Sequence, residues 1–203
     1  MDSTSSTLQA RKQQVVREAI WDAATDLFVE KGFDETTVDD IAESAGVSRR
    51  SFFRYFSSKS DLMAYGMVIY GEELSVAIDA CPKSYSPFEV FRETVLTVAQ
   101  RSASHPRTRK IMEIVTRYPA ARAAELSRFH EVQDRVAAAF ARRKGVAKHA
   151  SALLAGMTLQ VLGVTFRFWF NQPKRDISVT AERALATLHD LVCDQPAGKR
   201  RRV

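Results

Sequence analysis

The charged residues between positions 34 and 59 are separated by sign. Five acids and no bases lie between Asp34 and Glu43, whereas the segment from Ser48 to Lys59 carries four bases and no acids. Guanidinium and ammonium groups bind phosphate oxygens, and an arginine can also donate two hydrogen bonds to the edge of a guanine. The later segment therefore suits contact with a nucleic acid, while phosphates would repel the earlier one.

Helical start and stop signals place these charges on two short helices. Thr37 is a suitable N-cap for a helix with apolar residues at helical spacing, and Gly46 ends that helix. Ser48 then caps a second helix, in which Phe52 and Phe56 lie one turn apart. Two short helices joined by a turn that contains glycine have the proportions of a helix-turn-helix. Because only the later helix is basic, we expect it to enter the major groove of duplex DNA.

Position along the basic helix sorts its side chains into two kinds of expected DNA contact. The first turn of such a helix reaches base edges, and residues beyond or beside it reach phosphates. We assign base contacts to four residues: Arg49, Arg50, Ser51 and Phe53. We assign phosphate contacts to a second set: Thr36, Thr37, Arg54, Tyr55 and Lys59. One or other of the two threonines would offer its hydroxyl and a backbone N–H group to a phosphate.

The stretch TTVDDIAESAGVSRRSFFRYFSSKSDLM closely resembles the DNA-binding signature of the tetracycline-repressor (TetR) family. It contains the pattern I-A-x-x-A-G-V-S, then an aromatic-rich helix and the pattern Phe-x-x-Lys-x-x-Leu, which ends at Leu62. One departure concerns Phe53, where many family members have a tyrosine. A phosphate contact through that hydroxyl is therefore absent here, and Tyr55 is the residue that could supply one instead.

Apolar residues recur at helical spacing along the rest of the chain, and no segment alternates as a strand. We therefore predict an all-α fold of about nine helices. The predicted limits of the helices outside the helix-turn-helix are a first helix closed by Gly32, a fourth from Ser58 to about Ala80, a fifth from Ser86, a sixth from Pro106 to before Pro119, a seventh from Ala121 to about Arg143, an eighth from about Lys148 to Asn171 and a ninth from about Thr180 to Val192.

Composition and helix positions predict four segments. The first residues are rich in serine and threonine, and the last are basic, so both ends are expected to be disordered. The predicted division is an N-terminal arm over residues 1–10, a helix-turn-helix domain over 11–57, an effector-binding and dimerisation domain over 58–194 and a basic tail over 195–203.

The resemblance to the TetR family implies a three-helix DNA-binding domain followed by a helical domain for ligand binding and dimerisation. Family members are typically homodimers that pair through their last two helices, bind a double-stranded DNA operator and respond to a small-molecule effector. Long apolar helices favour a hydrophobic effector here. The candidates for its pocket are Met112, Met157, Gln160, Phe166 and Trp169. Packing in the core or in the dimer interface explains such apolar residues equally well.

Several other classes of protein find no support in the sequence. The two cysteines and four histidines show no metal-binding or redox spacing, so we expect no metal and no cofactor. The first fourteen residues lack the apolar stretch of a signal peptide, and the uncharged run over 150–166 is short for a membrane span. A cytoplasmic protein without a membrane partner is expected. No catalytic constellation is evident, so we expect no enzyme.

Three functional hypotheses follow from the sequence. The leading hypothesis is a sequence-specific repressor that an effector releases from its operator, repression being the commoner behaviour in the family. The net charge of +6 leaves open a second, a structural protein that coats DNA without sequence preference. The third is an enzyme built from the aromatic C-terminal part, which would have to keep its turnover after deletion of residues 1–60.

Overall fold

The computed structural model describes residues 3–172 and 174–193, and every regular element among them is an α-helix. The described residues form ten helices, in agreement with the predicted all-α class. Their bounds are α1 Ser3–Glu30, α2 Val38–Ser44, α3 Arg49–Tyr55, α4 Lys59–Ala80, α5 Pro87–Ser104, α6 Pro106–Arg117, α7 Pro119–Leu126, α8 Phe129–Ala141, α9 Lys148–Phe170 and α10 Ile177–Cys193.

Side-chain caps begin the helices around the turn, as the sequence predicts. Thr37 and Asp40 form a complete capping box at the start of α2, and the Ser48 hydroxyl accepts a hydrogen bond from the backbone N–H of Ser51 at the start of α3. Gly46 has a φ of +66°, a left-handed conformation that glycine adopts without strain, and it turns the chain between the two helices.

Two features of the helices differ from the predictions. The helix α1 begins at Ser3, so the disordered arm expected over residues 1–10 is wrong from residue 3 onward, while residues 1 and 2 lie outside the described residues. The predicted seventh helix is divided into α7 and α8. At the break, the Ser127 hydroxyl donates to the Ala124 carbonyl oxygen at 2.6 Å. The expected tail over 195–203 also lies outside the described residues.

The chain forms two compact units. Unit 1 contains the residues up to Glu72 together with His105–Val132, and unit 2 contains Glu73–Ser104 together with the residues from Gln133 onward. This division differs from the predicted boundary between residues 57 and 58, since unit 1 also contains part of α4, all of α6 and α7, and the first turn of α8.

Unit 1 is built on α1, which packs against both α2 and α6. Its core consists of large side chains from the helix-turn-helix and the flanking helices, among them Ile20, Phe28, Phe33, Ile41 and Phe52, all of which are fully buried. The face of α3 that carries Phe52 is therefore held against the rest of the unit. The opposite face of α3 is left to solvent.

Unit 2 is organised around α9, which packs against α5 and α10, and α5 and α10 also pack together. The helix α9 is long and apolar enough to span a membrane by length and composition, but half of its most apolar window is buried inside the protein. Its buried residues include Leu162, Phe166 and Trp169. The structure thus accounts for the apolar character of α9 through packing in the core of unit 2.

Candidate nucleic-acid interface

The helix-turn-helix presents one apolar face and one charged face of α3. Phe52 is fully buried and packs against Phe56, with ring centroids 5.9 Å apart. Arg49, Arg50 and Arg54 are exposed on the other side of the helix. The predicted anchoring of α3 through the two phenylalanines is confirmed, and the three guanidinium groups are accessible from solvent.

The two arginines of the first turn differ in their surroundings. Arg49 forms an ion pair with Asp39 of α2, in which both side chains are more than half exposed, and its guanidinium lies 5.4 Å from the centroid of the Phe53 ring. Arg50 is exposed and has no ion-pair or hydrogen-bond partner among the described residues. Arg50 is therefore free to contact DNA. Arg49 can do so only after its ion pair with Asp39 opens, and that pair was not apparent from the sequence.

Ser51 and Phe53 complete the group expected to read bases. Ser51 is half-buried, and its hydroxyl lies 3.0 Å from the hydroxyl of Ser48, which caps the helix. Phe53 is 46% exposed and stands edge-on against Phe52, with centroids 5.4 Å apart. The ring of Phe53 could contact a thymine methyl group. The Ser51 hydroxyl accepts a hydrogen bond from Ser48 and keeps its own O–H donor for a base edge.

Arg54 and Tyr55 form a stacked pair at the end of α3. The guanidinium of Arg54 lies 4.9 Å from the Tyr55 ring centroid and donates to its hydroxyl at 3.2 Å. Arg17 of α1 approaches the same ring at 5.9 Å. Tyr55 is thus held by two cations, and this arrangement positions its hydroxyl and the Arg54 side chain near the edge of the exposed face.

The ammonium group of Lys59 is engaged inside unit 1, which argues against the phosphate contact predicted for it. The Nζ atom donates to three backbone carbonyl oxygens, those of Phe33 at 2.6 Å, Asp34 at 2.9 Å and Thr36 at 3.3 Å. An ammonium group has three N–H donors, so these bonds use all of them. Lys59 fixes the segment between α1 and α2 instead of reaching outward.

The two threonines before α2 also differ in what they can contact. Thr36 is buried, its hydroxyl donates to the carbonyl oxygen of Gly32 at 2.7 Å, and its backbone N–H donates to the same oxygen at 3.2 Å. This burial argues against the phosphate contact predicted for Thr36 and favours Thr37 of the two threonines. Thr37 is exposed, but its hydroxyl and backbone N–H both donate to the carboxylate of Asp40, at 2.7 and 2.9 Å. A contact from Thr37 to a phosphate would compete with that carboxylate.

The capping box at α2 has an electrostatic consequence. Hydrogen bonds from the backbone N–H and hydroxyl of Thr37, and the nearby ammonium group of Lys31, lower the pKa of Asp40 to about 2. Lys31 lies 3.1 Å from the Asp40 carboxylate. Asp40 thus stays charged at neutral pH, and the start of α2 keeps the acidic character that makes α3 the favoured helix for DNA.

The residues predicted for an effector pocket are divided between the two units. Met112 lies in unit 1, and the other four lie on α9 in unit 2. Phe166 and Trp169 are buried, Met157 is half-buried and Gln160 is exposed. Of the five, only Gln160 lines the groove of about 570 Å³ between α9 and α10, and this groove is also lined by Val164, Phe168 and Arg183. Positions 160, 164 and 168 are four residues apart, and this helical spacing was the signal in the sequence that they lie on one face of α9.

Two family profiles match the chain. The profile for bacterial regulatory proteins of the tetR family matches residues 20–65, which contain the helix-turn-helix. The profile for the MftR C-terminal domain matches residues 85–192. The second match alone spans more than half of the chain.

Two regulators resemble the chain over nearly its whole length. The HTH-type transcriptional regulator TcmR of Streptomyces glaucescens is 28% identical over 92% of this chain and 90% of its own. A putative mycofactocin biosynthesis transcriptional regulator, MftR of Mycobacterium tuberculosis, is 27% identical over 90% of this chain and 91% of its own.

Solved structures share the fold at lower identity. One is NalD, the secondary repressor of the MexAB-OprM multidrug efflux pump in Pseudomonas aeruginosa, with a TM-score of 0.58, 24% identity and coverage of 88% of this chain and 96% of NalD. Another is the transcriptional regulator FadR of Bacillus subtilis in complex with stearoyl-CoA, with a TM-score of 0.60, 18% identity and coverage of 84% and 96%.

Proposed function

The chain belongs to the TetR family of bacterial regulatory proteins, and from this membership we propose that it represses transcription by binding a specific operator as a homodimer. It is a DNA-binding transcription regulator, and its relatives are regulators, not enzymes. We propose further that it acts in the cytoplasm and that a small hydrophobic effector releases it from DNA. The observation that carries the proposal is the solvent-facing set of guanidinium groups on α3.

Sequence-specific binding is supported by the position of Arg50 and Phe53. Both are exposed on the first turns of α3, the part of such a helix that reaches base edges. Arg49 joins them once its ion pair with Asp39 opens, and Arg54 and Tyr55 provide phosphate contacts at the end of the helix. Repression follows the description of NalD as a repressor.

A homodimer is supported by the exposed surface of α9 and α10. Val164 and Phe168 are exposed at 39% and 58% although both are apolar, and they lie in the groove that these two helices form. Leu153 and Leu191 add further exposed apolar area on the same helices. Covering this surface with α9 and α10 of a second copy would make a four-helix interface. The two α3 helices could then enter successive major grooves about 34–36 Å apart.

The choice of a hydrophobic effector is supported by the interior of unit 2. Phe166 and Trp169 are buried on α9, and Met157, nine residues before Phe166 on the same helix, is half-buried. The related FadR binds stearoyl-CoA, a ligand with a long apolar chain. Gln160 lines the groove between α9 and α10. We therefore propose that it belongs to the dimer interface and not to the effector pocket. An effector acts by binding more tightly to a conformation that fits the operator poorly.

Fluorescence anisotropy tests the proposal directly. The full chain is titrated at physiological salt into labelled DNA from the region that flanks its own gene and, separately, into a scrambled duplex of the same composition. We expect the flanking fragment to bind at least about a thousandfold more tightly, the lower range of specificity for such regulators. Equal binding to this fragment, to the scrambled duplex and to a random pool of duplexes would instead support the protein that coats DNA.

Two variants connect the measurement to α3. Arg50→Ala is expected to lose about 1–3 kcal/mol of discrimination at one operator position. Arg101→Ala removes an exposed arginine from α5 in unit 2 and is the matched control, with no expected change in base preference. A preference that survives Arg50→Ala intact would contradict the base contact assigned to this residue.

A further inference from the structure

Phe53 is an apolar side chain on the charged face of α3. Of the described residues from 16 to 75, it is the only large hydrophobic one that is exposed, at 46%. It lies on the helix beside Arg49, Arg50 and Arg54, which are exposed as well. The surface expected to face DNA therefore carries one exposed ring without a polar group.

Two neighbours hold this ring in place. Phe52 is fully buried in the core of unit 1, and its ring meets that of Phe53 edge-on, with centroids 5.4 Å apart. The guanidinium of Arg49 lies over the ring of Phe53, 5.4 Å from its centroid. Because the ring is packed against a core residue, it stays at the surface in a defined position and loses little freedom when it contacts a partner.

The major groove of B-DNA offers one apolar substituent to such a ring. Base edges in that groove present hydrogen-bond donors and acceptors, and the C5 methyl group of thymine is the apolar exception. A ring packed against a donor or acceptor would exclude water without replacing the lost hydrogen bond, which is unfavourable. Against a methyl group, the same contact buries apolar surface on both sides. The chemistry of Phe53 therefore favours thymine.

Arg50 adds a second base near this thymine. It lies three residues before Phe53, and side chains at that spacing are neighbours on a helix, with about 5–6 Å between their Cβ atoms. Its guanidinium has no ion-pair or hydrogen-bond partner among the described residues, and guanine accepts two hydrogen bonds from an arginine in the major groove. Successive base pairs are about 3.4 Å apart, so the spacing of the two side chains covers one or two base-pair steps.

We propose that Phe53 contacts the methyl group of a thymine and that Arg50 contacts a guanine one or two base pairs away from it. The inference rests on the operator binding proposed above and adds the identity of two bases in each half-site. It makes a methyl group on the DNA, and not the pattern of hydrogen bonds alone, part of what the protein recognises.

Selection from a random pool of duplexes with the full chain supplies the operator for the test. We expect the enriched sequences to share, in each half-site, a thymine with a guanine one or two base pairs away on either strand. Deoxyuridine in place of that thymine removes the methyl group and keeps every hydrogen bond. Anisotropy titrations should show binding about threefold to fourfold weaker for one replacement, and about tenfold or more weaker when both half-sites are changed.

Protein variants assign the methyl contact to Phe53. Phe53→Ala is expected to bind the thymine and deoxyuridine duplexes equally, whereas Phe53→Leu, which keeps an apolar side chain, should retain part of the difference. Phe88→Ala removes a phenylalanine of almost equal exposure, 47%, from α5 in unit 2 and should keep the full difference. Circular dichroism verifies that each variant is folded, and Phe53→Gln takes the place of Phe53→Ala if the latter does not fold.

Two further base replacements test the two contacts separately. Cytosine at the thymine position lacks the methyl group and 5-methylcytosine restores it, so the wild type should bind the 5-methylcytosine duplex about threefold more tightly than the cytosine duplex. 7-Deazaguanine in place of the guanine removes the N7 acceptor. It should weaken binding by the wild type at least about threefold and leave binding by Arg50→Ala unchanged.

An enriched sequence in which deoxyuridine binds as well as thymine at every position overturns the proposal. A loss on deoxyuridine that persists in full in folded Phe53→Ala or Phe53→Gln also overturns it, and equal binding of the guanine and 7-deazaguanine duplexes by the wild type overturns the contact of Arg50. In each of these cases sequence-specific binding itself stands. A selection that enriches no sequence would instead reject the operator binding proposed above, and this inference with it.

Discussion

The ammonium group of Lys59 lies 2.6 Å from the carbonyl oxygen of Phe33 and 4.8 Å from the centroid of the same residue's ring. One side chain at the start of α4 thus holds both the backbone and the ring of Phe33, the third residue after α1. Phe33 is almost completely buried, so this contact ties the charge of Lys59 to the core of unit 1.

Replacing Lys59 with methionine should destabilise the protein. The change keeps an unbranched side chain but removes the ammonium group that donates to three carbonyl oxygens, and we expect a loss of about 1–3 kcal/mol in the free energy of unfolding. Urea unfolding followed by circular dichroism measures it, with Lys83→Met at an exposed position as the control. Unchanged stability together with weaker binding to every duplex would restore the phosphate contact that the structure argues against.

The ion pair between Arg49 and Asp39 leads to a second prediction, on DNA affinity. Both side chains are largely exposed, so Asp39→Asn should change stability by less than about 1 kcal/mol. The change frees Arg49 to contact a phosphate or a base, so DNA affinity should rise. If the new contact is to a phosphate, the slope of log K against log salt should steepen by about 0.9.

The control for this experiment is Glu182→Gln, which removes an exposed acid from α10 in unit 2. Anisotropy titrations at several salt concentrations measure both variants. Equal gains in affinity for Asp39→Asn and Glu182→Gln would mean that net charge alone explains the effect, and the specific restraint of Arg49 would be rejected.

Gly32 allows a third prediction, on packing in unit 1. Its φ is +102°, and a Cβ atom added to it would lie 2.6 Å from the hydroxyl oxygen of Tyr118. Gly46 also has a positive φ, but a Cβ there would meet no atom within 4 Å. Gly46→Ala should therefore cost about 1–2 kcal/mol from backbone strain, and Gly32→Ala at least about 1 kcal/mol more.

Tyr118→Phe separates the two causes. In that background the hydroxyl oxygen is gone, so part of the extra cost of Gly32→Ala should disappear while the backbone strain persists. Urea unfolding of the single and double variants gives the comparison. Equal costs for Gly32→Ala with and without the tyrosine hydroxyl would show that Tyr118 does not restrict this position.

The lowered pKa of Asp40 predicts a dependence of stability on pH. The folded pKa of about 2 is below the ordinary value of 3.8, so the charged form stabilises the fold. This contribution is complete above about pH 5 and is lost as the pH falls through about 4 towards 2. The difference in stability between wild type and Asp40→Asn should accordingly shrink between about pH 6 and pH 3. A difference that stays constant over that interval would contradict the assignment.

The groove between α9 and α10 predicts how the oligomeric state responds to a charge. Phe168→Glu would bury an unpaired carboxylate if a second copy covers this face, and this costs several kcal/mol. We expect the variant to sediment as a monomer in analytical ultracentrifugation while the wild type sediments as a dimer. Phe88→Glu, at an exposed phenylalanine of α5, is the control. A Phe168→Glu protein that remains dimeric would place the interface elsewhere.

The sequence could predict those features of the fold that depend on local chemistry. The capping residues Thr37 and Ser48 and the turn at Gly46 act on their own neighbours, so their types and spacing were sufficient to locate α2 and α3. The roles of Thr36 and Lys59 depend on contacts with residues 4 to 26 positions away, which become visible only after the helices have packed. Polarity alone made both residues look like phosphate ligands.

The break between α7 and α8 shows a related limit. Neither glycine nor proline marks it, and the hydrogen bond that the Ser127 hydroxyl makes at the break is of a kind that also occurs inside continuous helices. The ion pair between Arg49 and Asp39 could not be predicted either. The separation of charges by sign along the sequence does not indicate that an acid of α2 pairs with a base of α3.

The packing of α6 in unit 1 limits how the DNA-binding part of this protein could be transferred to a relative, in evolution or by gene fusion. Arg107 of α6 stacks on the ring of Trp21 at 4.2 Å and pairs with Asp22, while Ile114 is buried in the same core as α1. A transferred DNA-binding segment that ended at Glu72 would lack these α6 residues, and the apolar side chains of α1 that pack against α6 would be exposed. A transferable cassette for this protein is therefore discontinuous in the gene, and a successful chimera must carry the coding sequence for residues 105–132 along with that of the helix-turn-helix.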